Sequence, residues 1–213
     1  DSLGKATAQF TYVSDPNQPV PFRSEKTPVT FTPRRFMTDD QRHASERKDV
    51  LSFETPPLEE PIQLAGEIIA DLNVIISTTD ADFIVKIIDV YPEDAVNHST
   101  TPSNISLAGY QQLVRHEVFR GRFRERFSAP KPFEPNKVEN VRFPLQDILH
   151  TFKKGHKIMI QIHSTWFPYI DRNPQQYIPN IYKAKTSDFV KSTIHILGNS
   201  KIIIGEKHHF KPE

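Results

Sequence analysis

The sequence predicts an all-β fold, an antiparallel two-sheet sandwich of jelly-roll type with one or two short helices. Three observations lead there. About nine stretches of five to ten residues alternate apolar and polar side chains, the period of a half-buried strand. Only 7 Gly are present, so tight glycine hairpins must be few and long crossing connections many. No helical segment is long enough to join parallel strands, and no repeat of fixed period recurs. At 213 residues the chain is long enough to bury a core as a single jelly roll over 1–213, with 1–37 an extended strap leading into it.

Each element has its own local reason. Gln9 to Val13 read as a first strand. Ser14-Asp15-Pro16-Asn17 is a turn, because Asp tolerates it and Pro presets φ. Pro19, Pro21, Pro28 and Pro33 then exclude a helix or a regular central strand, which leaves a strap across a surface. Thr38-Asp39-Asp40-Gln41 fits a capping box and predicts a two-turn helix over 38–47. Strands follow at 50–54, 62–65 and 67–77. In the last, Ile68, Ala70, Leu72, Val74 and Ile76 share one face, with Asp71 and Asn73 outward.

In 82–91, Phe83, Val85 and Ile87 alternate with Ile84, Lys86 and Ile88, which predicts a central strand covered partly on both faces. Residues 93–108 are rich in Ser, Thr and Asn and read as a mobile loop. Its triplets at Asn97 and Asn104 fit the glycosylation pattern, one that chance supplies often. Further strands are expected at 110–119, 138–145, 156–165, 192–197 and 201–205, with helical turns at 145–150 and 184–191.

The charge balance, 27 Lys+Arg against 26 Asp+Glu, provides no electrostatic footprint for nucleic acid. On a strand, Arg120, Arg122, Arg124 and Arg126 fall on one face and read as a solvated or interface-facing row. With no Cys there is neither a disulfide framework nor a thiolate metal site, and the compartment stays open. No apolar run approaches the ~20 residues of a membrane helix, and no signal-peptide pattern is present. The first residue is Asp rather than Met, so the chain reads as part of something longer.

Catalytic motifs are missing. There is no G-x-S-x-G elbow. Ser128 and Lys131 match S-x-x-K, but Pro130 between them forbids the helical turn that would bring Lys to Ser. His208, His209 and Glu206 read as a solvated tail rather than a metal site, and Asp80 and Asp82 as turn-stabilising carboxylates rather than calcium ligands. No catalytic residue, metal or cofactor is assigned.

The least interchangeable residues lie in 156–175, HKIMIQIHSTWFPYIDRNPQ. It opens as a strand, with Ile158, Ile160 and Ile162 on one face and Lys157, Met159, Gln161 and His163 on the other. It continues through Trp166, Phe167, Tyr169, Asp171, Arg172 and Asn173. A plain connection needs no three aromatic rings. These residues read as a contact for a neighbouring domain or a plug over the sandwich, with a sugar-stacking platform as the ligand reading. Asp171 and Arg172 are placed to orient each other or hold a partner carboxylate, and Asp171 or Asn173 to form an Asx turn into Pro174.

The segments YVSDPNQPVPF (12–22), DDQRHASERKDVLSF (39–53), TDADFIVKIIDVYPED (79–94), GYQQLVRHEVFRGRFRERF (109–127) and KGHKIMIQIHSTWFPYIDRNPQQYIPNIYKAK (154–185) carry a resemblance. Together they resemble the C-terminal jelly-roll domain of the serine hydrolase family that contains α-amino-acid ester hydrolases, glutaryl-type acylases and cocaine esterase. X-Pro dipeptidyl-peptidases are similar at greater distance. GNSKIIIGEKHHF (198–210) is only loosely similar.

That resemblance implies that the Ser-His-Asp triad belongs to an α/β-hydrolase domain absent from this chain, and that the chain alone is inactive. It implies an accessory domain packed on the hydrolase and cap domains, helping to wall a pocket for α-amino-acid esters or β-lactam side chains. By position, Phe36 and Met37 are the pocket-wall candidates. With Trp166, Phe167, Tyr169, Ile84 and Ile88 they are expected to form an exposed apolar face. The resemblance implies no cofactor and no nucleic-acid or membrane partner. It suggests a periplasmic or secreted setting and leaves a homo-oligomeric full-length enzyme open. The alternative is a stand-alone carbohydrate-binding module, since galactose-binding-domain-like jelly rolls share the architecture.

Overall fold

The computed structural model describes residues 8–24 and 34–205. Its strands are β1 (Gln9–Ser14), β2 (Leu51–Glu54), β3 (Ile62–Ile76), β4 (Asp82–Val90), β5 (Gln111–Arg120), β6 (Val138–Phe152), β7 (Lys157–His163), β8 (Ser192–Leu197) and β9 (Lys201–Ile204), with one four-residue helix, α1 (Arg42–Ser45). They pair antiparallel into two sheets, one ordered β1-β8-β3-β6 and the other β2-β7-β4-β5, with β9 added to β3. This is the strand order of a jelly-roll sandwich. Strands consecutive in sequence mostly lie in opposite sheets, so their links cross the sandwich. Among the described residues, β4 and β5 are the only sequence neighbours that also pair. That is why so few Gly suffice.

The apolar alternation read from β3 and β4 becomes the inter-sheet core. Ile68, Ala70, Leu72, Val74 and Ile76 face Phe83, Val85 and Ile87, closed by Val141, Phe143 and Phe152 from β6 and Ile194 and Ile196 from β8. Each buried Val, Leu, Ile or Phe side chain among them contributes roughly 1.5–3 kcal/mol.

Several expectations need correction. The strands expected at 62–65 and 67–77 are one, Ile62–Ile76, with a bulge after Gly66, whose φ of +100° suits a residue without Cβ. The helical turn expected at 145–150 does not form, because β6 runs on to Phe152 against β3. Pro144 lies within that strand. It is tolerated because β6 is an edge, where a missing N–H costs no ladder bond. The segment expected to be one turn at 184–191 contains a 3₁₀ turn at Thr186–Asp188, with another just before it at Ile181–Lys183. Asp15 makes its turn as expected, accepting from the Gln18 amide at 2.9 Å through its carbonyl and from the Asn17 amide at 2.9 Å through Oδ1.

The capping box is absent. α1 spans only Arg42–Ser45, begins after Gln41 and has no side-chain cap. Gln41 turns inward instead, fully buried, while Asp40 Oδ1 accepts from the Arg42 and Gln111 amides. The arginine row does not form one strand face either. β5 stops at Arg120 and the chain enters a 3₁₀ turn at Gly121–Phe123, so Arg122 and Arg124 swing inward onto Asp80 and Glu139. Gly121 is required there, since a Cβ would sit 2.7 Å from the Ala81 carbonyl and 2.7 Å from the Phe133 ring. The strap is described only to residue 24 and from residue 34. Pro28, Pro33 and the Glu206, His208 and His209 tail lie outside the described residues.

Candidate functional site: the covered face of the second sheet

A sandwich sheet normally leaves its outer face to water. Here the outer face of the second sheet is covered. Every residue of β4 is buried. Most of the expected polar face of β7 is buried too: Met159 is buried, and Gln161 and His163 are wholly inaccessible. A second hydrophobic layer lies over them, made by Val20 and Phe22 of the strap, Ala44 and Val50 around α1, and Ile84, Ile88, Leu113, Met159 and Trp166.

The strap and the 164–175 loop hold each other in place. The Phe22 amide donates to the Phe167 carbonyl at 3.2 Å, the Phe167 amide to the Val20 carbonyl at 3.1 Å, and the Val20 amide to Thr165 Oγ1 at 2.9 Å. Over this clasp lies an aromatic stack. Trp166 and Tyr169 have centroids 4.6 Å apart, Phe36 lies 5.0 Å from Tyr169, and the His116 ring stands edge-on 4.8 Å from Trp166. Burial lowers His116 to about 4, so the ring packs as a neutral imidazole.

At the bottom of the stack is Lys86, which has no accessible surface. Its ammonium lies 4.3 Å from the Trp166 ring centroid and donates to Gln41 Oε1 at 3.0 Å. Burial lowers it to about 7. His163 is held well below the usual histidine range, by burial first and Lys86 second, and its Nδ1–H donates to the Thr165 carbonyl at 2.7 Å.

The candidate residues divide. Trp166, Ile84 and Ile88 were expected on an exposed apolar face, but all three are core. Their wet side is covered by the strap. Trp166 is therefore closed to a stacking sugar. Phe36 and Tyr169 are half-buried, whereas Met37 and Phe167 are exposed at 53% and 44%. Met37 leans with Leu113, His116 and Leu149 over an open depression of about 220 Å³. A larger groove, about 810 Å³, lies at the other end of β5 under Phe119, Phe123 and Phe127.

The polar residues of the loop hold it internally. Asp171 does not pair with Arg172; it accepts from Arg120 Nη2 at 2.9 Å. Arg172 donates to the Pro16 carbonyl at 3.1 Å and lies over the Phe189 ring at 4.8 Å. Asn173 makes the expected Asx turn, Oδ1 accepting from the Gln175 amide at 2.8 Å, and also donates to Asp82 Oδ1 at 2.8 Å. Asp82 in turn takes Arg120 Nε at 3.1 Å, and Asp80 takes Arg122. Both carboxylates are thus paired with arginines. Among the described residues no cluster suits a metal ion, and no helix is long and apolar enough to cross a membrane.

Lys86, Gln41, His116 and His163 were missed as a set. The one legible signal was a lysine within the apolar run DFIVKIIDV.

This architecture has known relatives. Residues 2–208 match the model of the X-Pro dipeptidyl-peptidase C-terminal non-catalytic domain. The chain belongs to that family. As a C-terminal non-catalytic domain it is 31% identical to the cocaine esterase of Rhodococcus sp. (strain MB1 Bresler) over 172 residues, 81% of this chain and 27% of that protein. The structure superimposes on an aminopeptidase from a marine-sediment Thaumarchaeota archaeon with a TM-score of 0.84 at 42% identity, covering 93% of this chain and 33% of that one. An α-amino acid ester hydrolase superimposes with a TM-score of 0.83 at 42% identity, covering 95% and 33%. The chain thus spans between a quarter and a third of the length of these relatives.

Proposed function

We propose that this chain serves as the accessory domain of a serine hydrolase, packed on α/β-hydrolase and cap domains and contributing Phe36 and Met37 to the wall of the substrate pocket. The names of its relatives point to esters and amides of amino acids as the substrate class. The observation that carries the pocket-wall role is the contrast within one 3₁₀ turn, Arg34–Thr38. Phe36 is locked into the aromatic stack, while the adjacent Met37 is presented to the outside above an open depression. A flexible, polarisable thioether on a rigid base suits a wall that must fit varied acyl groups.

The test is Met37→Glu and Phe36→Ala in the full-length polypeptide, assayed on p-nitrophenyl esters of alanine and phenylalanine. A pocket-wall role raises KM for the phenylalanine ester about tenfold, because one apolar contact in a pocket discriminates by roughly 10–200-fold. Unchanged KM for both esters in both variants overturns it.

A further inference from the structure

We propose that Lys86 is a positioning residue for the turn that carries Phe36 and Met37, gripping it through Gln41 on one side and through Trp166 on the other. The kinetic half of this inference rests on the pocket-wall reading above.

The geometry is specific. Lys86 sits mid-strand in β4, directly between His116 of β5 and Gln161 of β7 in the sheet register. Its Nζ donates to Gln41 Oε1 at 3.0 Å, and Gln41 Nε2 donates onward to the Asp39 carbonyl at 2.8 Å. Asp39 follows the turn directly, its amide donating back to the Phe36 carbonyl at 3.3 Å. On the other side Nζ lies 4.3 Å from the Trp166 centroid, and the Trp166 ring lies 6.5 Å from that of Phe36. The two routes leave one ammonium and reach one short segment at two points, Phe36 within the turn and Asp39 directly after it.

Residue choice adds to this. Lys86 stands among Ile84, Ile88, Met159 and Trp166, where a Met or Leu would pack without desolvation cost. Among the described residues no carboxylate pairs with it. Gln161 Oε1, His163 Nε2 and Trp166 Nε1 lie buried in the same layer without partners. A buried cation without a counter-charge costs stability and is explained better by what it orients. The tether also survives titration, since an amine and an ammonium both have a hydrogen to give Gln41.

The test uses the full-length polypeptide with Lys86→Met, Gln41→Met (which removes the same bond from the other end), Phe36→Ala, and the double variant Lys86→Met/Phe36→Ala. Two readouts are taken: amide hydrogen exchange over 36–42, and KM and kcat on the alanine and phenylalanine p-nitrophenyl esters. Positioning predicts about tenfold faster exchange over 36–42 in both Lys86→Met and Gln41→Met, with core strands unchanged. It also predicts a KM rise for the phenylalanine ester that does not add to that of Phe36→Ala, because the two substitutions act on one contact. Unchanged exchange in both variants overturns the positioning role whatever the kinetics. Full additivity overturns the claim that Lys86 acts through Phe36. Faster exchange with Phe36→Ala kinetically silent supports positioning and overturns only the share of the pocket wall given to Phe36.

Discussion

The Lys86 ammonium lies 4.3 Å from the centre of the Trp166 ring, a cation–π contact made wholly inside the fold. Its first consequence is a pH dependence of stability. Burial lowers Lys86 to about 7, so the folded protein releases this proton well before the unfolded chain does. Between about pH 7 and about pH 10 the unfolded state holds the extra proton, and stability therefore rises with pH. His43, His116 and His163 face the same ammonium and are all lowered by burial, so they stay neutral across that window. Thermal unfolding from pH 7 to 9.5 should show the wild-type midpoint climbing relative to Lys86→Met. A flat difference between the two would contradict it.

A second prediction concerns Arg122 and Asp80, a buried pair with side-chain exposures of 5% and 0%. Arg122→Ala strands a carboxylate in the interior and should cost about 3–5 kcal/mol, whereas Arg122→Met with Asp80→Leu should cost much less. Urea denaturation of the single and double variants decides it. Equal losses would show that the pairing is not the controlling interaction.

Gly121→Ala should destabilise by about 1–3 kcal/mol, since the added methyl meets backbone and ring rather than a movable side-chain tip. The contacts are the Ala81 carbonyl and the Phe133 ring, both at 2.7 Å. A shift in unfolding midpoint reads it directly, and a neutral result would mean that β5 can end elsewhere.

Purified chain 1–213 should hydrolyse no amino-acid ester. Its sequence lacks a nucleophile elbow, and Ser128 is exposed beside Pro130 in a turn region. Ester turnover that follows the folded protein through a denaturant titration would refute this.

Glycans should not quench Trp166. The ring is 1% exposed and covered by Phe36, Tyr169 and His116. Fluorescence titration with a panel of soluble oligosaccharides should stay flat, and a saturable shift would bring back the carbohydrate-module reading.

The sequence by itself determined the strands and the class. Period-2 alternation is a local property, because neighbouring side chains on an extended chain point to opposite faces, and Pro and Asp mark turns through their own backbone limits. For the same reason 192–197 and 82–91 were legible almost to the residue, and the scarcity of Gly was enough to argue for crossing links. What only the tertiary structure decided is which face meets what. Gln161 and His163 read as a wet face because nothing local says that a strap 140 residues earlier lies across them. Arg122 and Arg124 read as part of a solvated or interface-facing row until a turn at Gly121 rotated them inward. Gln41 read as half of a capping box, yet it bonds to Lys86, 45 residues away. Polar side chains satisfy whichever partner the folded chain brings within about 3 Å, and that distance is set by long-range packing rather than by neighbours in sequence.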